Sequence, residues 1–130
     1  MTESYFDSSS HVVELSPSDF DNTLSWKLGS SKCNCCVILF YLPWCPYCKA
    51  VKDDWEKLGK VAKFFDVYAF NAEKNKKHML QIKEELPDLI RGYPTIIVYK
   101  KGEPVEKIGE DEVSRSFSRL LSDIMRVCPN

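Results

Sequence analysis

The 130 residues suit one domain and are too few for two. With 44% hydrophobic and 12% aromatic residues, the chain can bury a core of its own. Its 18 basic and 19 acidic residues leave a net charge of −1, which supplies no electrostatic footprint for nucleic acid or an anionic membrane surface. No window is apolar for long enough to cross a membrane. The polar, acidic start lacks the basic and apolar regions of a signal peptide, and Arg126–Asn130 carries no retrieval or prenylation signal. The expected location is therefore the cytoplasm.

Residues 1–10 read as a disordered lead, and residues 11–127 as one domain. His11–Leu15 is a predicted strand. Ser16 caps a predicted helix with Pro17 just inside it, running to about Trp26 and ending near Gly29. After a polar loop, Cys36–Leu42 is a continuous apolar run with the β-branched content of a strand buried on both faces, stopped by Pro43. Between Pro46 and Lys63, Val51, Trp55, Leu58 and Ala62 recur at helical spacing. Phe65–Phe70 reads as another buried strand, and Asn75–Leu86 as a basic amphipathic helix closed by Pro87. Thr95–Tyr99 and Val105–Ile108 form a predicted hairpin about Lys101-Gly102-Glu103. Glu112–Val127 closes the chain as a helix, with Val113, Phe117, Leu120, Leu121 and Ile124 inward. The order β-α-β-α-β-α-β-β-α implies an α/β fold with a mixed central sheet between helices.

Six cysteines are many for a chain read as cytoplasmic, where cysteines at fixed spacing mean metal or redox chemistry more often than structural disulfides. Cys45-Pro46-Tyr47-Cys48 directly follows a buried strand and opens a helix. A thiolate is the reactive form, and the free N–H groups of a helix start stabilise it. Cys45, nearer the helix end, is the expected attacking thiol. Cys48, one turn further in, is the expected resolving thiol, and Pro46 stiffens the turn without losing a donor. The competing reading is half of a zinc site, for which Cys33, Cys35 or Cys36 would supply the other ligands. The strand–Cys-x-x-Cys–helix context favours redox chemistry, with no metal and no cofactor.

Tyr41-Leu42-Pro43-Trp44-Cys45-Pro46-Tyr47-Cys48-Lys49 resembles the active-site segment of thioredoxins and protein disulfide isomerase domains. Ile90-Arg91-Gly92-Tyr93-Pro94-Thr95-Ile96, followed by Lys101-Gly102-Glu103 and Gly109, resembles their second signature, so the likeness spans roughly residues 11–126. It implies the thioredoxin fold and thiol–disulfide exchange. By position, Pro94 matches the family's cis-proline facing the active disulfide, which leaves the Tyr93 backbone free to pair with an extended substrate. Trp44 matches the tryptophan beside the nucleophile. With Pro46 and Tyr47 these make up the expected substrate-binding set.

Three departures stand out. Pro46-Tyr47 is the dipeptide typical of glutaredoxins. Leu39 occupies the place of the buried acid that accepts the resolving thiol's proton, and Val67 that of the lysine paired with it. Losing both together is self-consistent, since one alone would be an unpaired buried charge. It leaves Cys48 without an obvious base. Among the other cysteines, Cys36 reads as a small core residue. Cys33 and Cys35 read as inert loop thiols, with a secondary redox pair as the alternative, and Cys128 as a free thiol. Lys74, Lys76, Lys77, His78 and Lys83 read as a solvated helix face.

The expected partners are disulfide-containing protein substrates and a reductase or thiol donor, with no nucleic acid and no membrane. Two rivals stand beside this reading. One is a glutathione-linked glutaredoxin-like enzyme, its tripeptide-binding pattern only faintly echoed by Ile108-Gly109-Glu110-Asp111. The other is a non-catalytic binding protein that kept the fold, for instance a virion component.

Overall fold

The computed structural model describes residue 6, residues 10–20 and residues 33–129. Its strands are β1 (Val13–Glu14), β2 (Cys35–Tyr41), β3 (Asp66–Asn71), β4 (Thr95–Lys100) and β5 (Glu103–Ile108). Its helices are α1 (Pro46–Val61), α2 (Lys76–Glu85) and α3 (Phe117–Val127). The strands form one sheet in the order β1-β3-β2-β4-β5. β1, β3 and β2 run parallel, while β4 and β5 are antiparallel to their neighbours. This is the mixed sheet that the order of elements implies.

β2 lies at the centre and every one of its residues is buried. Successive side chains of a strand point to opposite faces. Cys35, Val37, Leu39 and Tyr41 accordingly join the core beneath α1 and α3, with Val51, Trp55, Leu58, Leu120 and Ile124. Cys36, Ile38 and Phe40 join the core beneath α2, with Phe70, Met79 and Ile82. Both edges of the sheet are guarded: β1 is only two residues long, and β5 carries Pro104, which has no N–H to offer another strand. Lys101 and Gly102 join β4 to β5 with φ of 53° and 83°, the left-handed pair that a tight hairpin requires.

The helix expected from Ser16 begins as a 3-10 turn over Pro17–Asp19, and Phe20 is already extended. Its continuation to Trp26 lies outside the described residues. Residues 113–115 form a separate 3-10 turn, and Ser116 caps α3 by accepting a hydrogen bond from the Arg119 N–H. That break corrects the single helix expected from Glu112, and Val113, expected inward, is 74% exposed. Phe6, within the lead expected to be disordered, is buried with its ring edge-to-face against Tyr41 at 6.0 Å.

The four cysteines outside the Cys-x-x-Cys segment depart most from expectation. Cys33 is bonded to Cys36 and Cys35 to Cys128. Cys33 and Cys35 are therefore not inert loop thiols, Cys36 is not a simple core residue, and Cys128 is not free. The pleat explains the arrangement. Adjacent residues Cys35 and Cys36 face opposite sides of the sheet, so one bond ties β2 to the end of α3 and the other closes the loop entering β2 on the far side.

Candidate active site

The site forms where β2 gives way to α1, at the carboxyl end of the parallel strands, where α/β sheets commonly hold ligands. The Cys45 N–H donates to the Leu42 carbonyl at 3.1 Å, a turn that swings the chain from strand to helix. Cys45 is the N-cap of α1, Pro46 follows at the first helical position, and the Lys49 N–H donates to the Cys45 carbonyl at 2.9 Å. Cys45 thus stands at the positive end of α1.

Cys45 and Cys48 lie side by side as thiols, outside any disulfide. Cys45 is 9% exposed, whereas Cys48 has no exposed surface. The Cys45 thiol donates to the Tyr93 carbonyl at 3.9 Å, and the Tyr93–Pro94 bond is cis. The two sequence signatures, with Cys45 and Tyr93 lying 48 positions apart, therefore meet at one sulfur. Trp44 and Tyr47 are 61% and 54% exposed, and Pro46 is exposed with them, so the three form a rim. The Trp44 indole donates to Glu73 at 3.3 Å.

Burial, reinforced by the neighbouring Cys45, pushes Cys48 up to about 12. Two groups oppose the rise: the Leu42 N–H, which donates to the Cys48 sulfur at 3.5 Å, and the positive charge of Arg115. Leu39 and Val67, at the positions of the missing acid and lysine, line the same apolar core as Cys48 and carry no charge to it. Tyr93 is also held above its usual range, by burial and then by the nearness of Cys48.

Sequence reasoning missed Arg115. It ends the 3-10 turn that precedes α3, where its guanidinium donates to the Gly109 carbonyl at 2.8 Å, and no local pattern marks it. Removing its charge leaves the Cys48 thiolate less stabilised. In Arg115→Met, with a substrate uncharged beside its cystine, release of a mixed disulfide should slow several-fold with the first attack unchanged, and Arg115→Lys should restore most of the loss. Quenched-flow trapping of the intermediate reads both steps. An equal slowing in the lysine variant would mean that the guanidinium matters only for its hydrogen bonds.

The zinc alternative does not fit this arrangement. Its other candidate ligands, Cys33, Cys35 and Cys36, lie in disulfides at the opposite end of β2. Spacing alone could not reveal this, because it does not tell which cysteines pair.

The family model described as thioredoxin matches residues 11–123. The chain is 27% identical over 123 residues to protein disulfide-isomerase MPD1 of Saccharomyces cerevisiae, covering 94% of this chain and 36% of that one. It is 36% identical over 103 residues to protein disulfide isomerase-like 2-2 of Oryza sativa subsp. japonica, covering 78% of this chain and 24% of the other. The crystal structure of Chlamydomonas reinhardtii thioredoxin f2 superposes with a TM-score of 0.66 at 20% identity, over 92% of this chain and 98% of that one. The chain belongs to the thioredoxin family, and its five-stranded mixed sheet with three helices is the thioredoxin fold. It spans only a minor part of the length of the isomerases it resembles.

Proposed function

We propose that the chain is a thiol–disulfide oxidoreductase acting on disulfide-containing proteins through Cys45 and Cys48. One observation carries the reading: two thiols outside any disulfide share a helix start, the outer one facing the Tyr93–Pro94 backbone and the inner one sealed beneath it. The Cys45 thiolate attacks a substrate disulfide, forming a Cys45–substrate bond and expelling one substrate thiolate, which takes up a proton. Cys48 then loses its proton and attacks the Cys45 sulfur. The Cys45–Cys48 disulfide forms, the second substrate thiol leaves, and the substrate has gained the two electrons that the pair has lost. A thiol donor or reductase returns them. Direction follows from the reduction potential of the pair against its surroundings.

An extended substrate pairs with the Tyr93 backbone while Trp44, Pro46 and Tyr47 border it. Beside this line lies a cavity of about 230 Å³, walled by Arg91, Lys107 and Arg115 with Glu110 as its acid. That balance favours an acidic side chain next to the substrate cystine. Peptides with glutamate beside the cystine should react several-fold faster than lysine counterparts at low salt, the gap closing as salt rises. Equal rates would show that the cavity exerts no such preference.

The test of the activity is catalysed reduction of a protein disulfide with a small dithiol as donor, run beside reduction of a glutathionylated peptide. Faster turnover on the protein disulfide supports the reading, and turnover confined to the glutathione adduct would replace it with a glutaredoxin-like one. As to location, the Cys33–Cys36 and Cys35–Cys128 bonds favour an oxidising compartment over the cytoplasm. Maleimide trapping in the cell of origin should leave Cys33 and Cys36 unlabelled.

A further inference from the structure

The two outer disulfides differ in what surrounds them. Cys33 and Cys36 have no exposed surface, and the Cys33 sulfur sits 3.9 Å from the Tyr99 carbonyl within the core under α2. Cys35 and Cys128 instead line an open cavity of about 360 Å³ together with Phe64, Lys100 and Lys101. Lys100 stands directly opposite Cys35 in the antiparallel register of β2 and β4. Partners in that register project to the same face of the sheet. Lys101 is held at the same mouth by donating its N–H to the Asn34 carbonyl at 2.7 Å. The two sulfurs are also unequally anchored. Cys35 is fixed within the central strand, while Cys128 is the C-cap of α3, followed by the exposed Pro129.

We propose that Cys35–Cys128 is a second thiol-exchange site, separate from Cys45 and Cys48, that admits small anionic thiols of the glutathione class. The thiolate of such a molecule attacks the Cys128 sulfur, the one at the helix end. A bond forms between Cys128 and the small thiol, the Cys35–Cys128 bond breaks, and Cys35 leaves as a thiolate beside Lys100. A second small thiolate attacks the adduct, forming the small-molecule disulfide and releasing Cys128. Both cysteines take protons from solvent, so one protein disulfide is reduced and two small thiols are oxidised to one disulfide. Lys100 and Lys101 attract the anionic reagent and favour the departing thiolate. The chain's own Cys45 cannot be the reductant, because β2 from Cys35 to Tyr41 is about 20 Å long at roughly 3.3 Å per residue. The exchange ties or frees the end of α3, which packs on the same core as α1.

The test uses the full chain carrying Cys45→Ser, so that no second molecule's active pair takes part. Reduced glutathione and cysteamine, a cationic thiol, are added at equal thiolate concentration without denaturant. The reaction is quenched with maleimide, and labelling is read by peptide mass spectrometry. Cys35 and Cys128 should be labelled while Cys33 and Cys36 stay bonded, with glutathione faster than cysteamine. In the Lys100→Glu/Lys101→Glu double variant the glutathione-to-cysteamine ratio should fall several-fold. Labelling of Cys33 and Cys36 first or simultaneously would overturn the proposal. So would labelling of Cys35 and Cys128 only under denaturant, or a ratio indifferent to the lysines in a folded double variant. None of these results depends on whether Cys45 and Cys48 turn over substrates.

Discussion

Cys48→Ser should stop the cycle at its midpoint, leaving a stable bond between Cys45 and the substrate. Cys45→Ser should lower turnover by several orders of magnitude and trap nothing. The asymmetry follows from geometry. Only Cys45 meets the Tyr93 carbonyl at the surface, whereas Cys48 is sealed and cannot receive a protein disulfide directly. Serine matches cysteine closely in size, so neither variant opens a cavity of consequence. Non-reducing electrophoresis after incubation with a disulfide-bonded protein reads both. Adducts accumulating in Cys45→Ser and not in Cys48→Ser would reverse the roles of the two thiols.

The second large effect concerns the proton on Cys48. A thiol held up to about 12 is almost entirely protonated near neutrality. Resolution should therefore quicken about tenfold per pH unit across the neutral range, each unit below the pKa cutting the thiolate fraction tenfold. In the mixed disulfide Cys45 carries no charge, which eases Cys48 somewhat, but burial, the largest cause, persists. Release of the intermediate, not the first attack, should then limit turnover. Leu39→Asp places a carboxylate in the apolar core that Cys48 shares. The variant should accelerate resolution and flatten its pH slope, at a cost of about 1–3 kcal/mol for an imperfectly satisfied buried polar group. Unchanged or slower resolution in a folded Leu39→Asp protein would count against the missing base. A wild type that resolves as fast as it attacks would do so too.

Much of this was readable from residue order. The unbroken apolar run of β2, the helical spacing of Val51, Trp55 and Leu58, and the turn about Lys101-Gly102 each encode a local structure that tertiary packing did not overrule. The meeting of Cys45 with Tyr93 was legible only through the family resemblance, because 48 residues separate them and no periodicity links the two segments. What stayed hidden depends on proximity made by the fold itself. Cys35 and Cys128 are 93 residues apart, and nothing in the sequence around Cys128 announces that α3 ends beside the start of β2. Cys33–Cys36 lies closer in sequence, but the alternation of β2 decides that Cys36 turns toward it and Cys35 away. Val113 was misread because helical periodicity was extended through Ser116, whose hydroxyl starts α3 afresh.

A single-turnover experiment decides whether Cys45 and Cys48 pass their electrons to a substrate disulfide. The chain with Cys45 and Cys48 reduced is mixed anaerobically with one equivalent of a disulfide-bonded peptide, quenched in acid, alkylated and mapped by mass spectrometry. The Cys45–Cys48 disulfide should appear in step with the peptide's two thiols, one for one, while Cys33–Cys36 and Cys35–Cys128 remain bonded. An intact peptide disulfide with both active-site thiols still open to alkylation would contradict it, as would peptide reduction that leaves Cys45 and Cys48 unbonded.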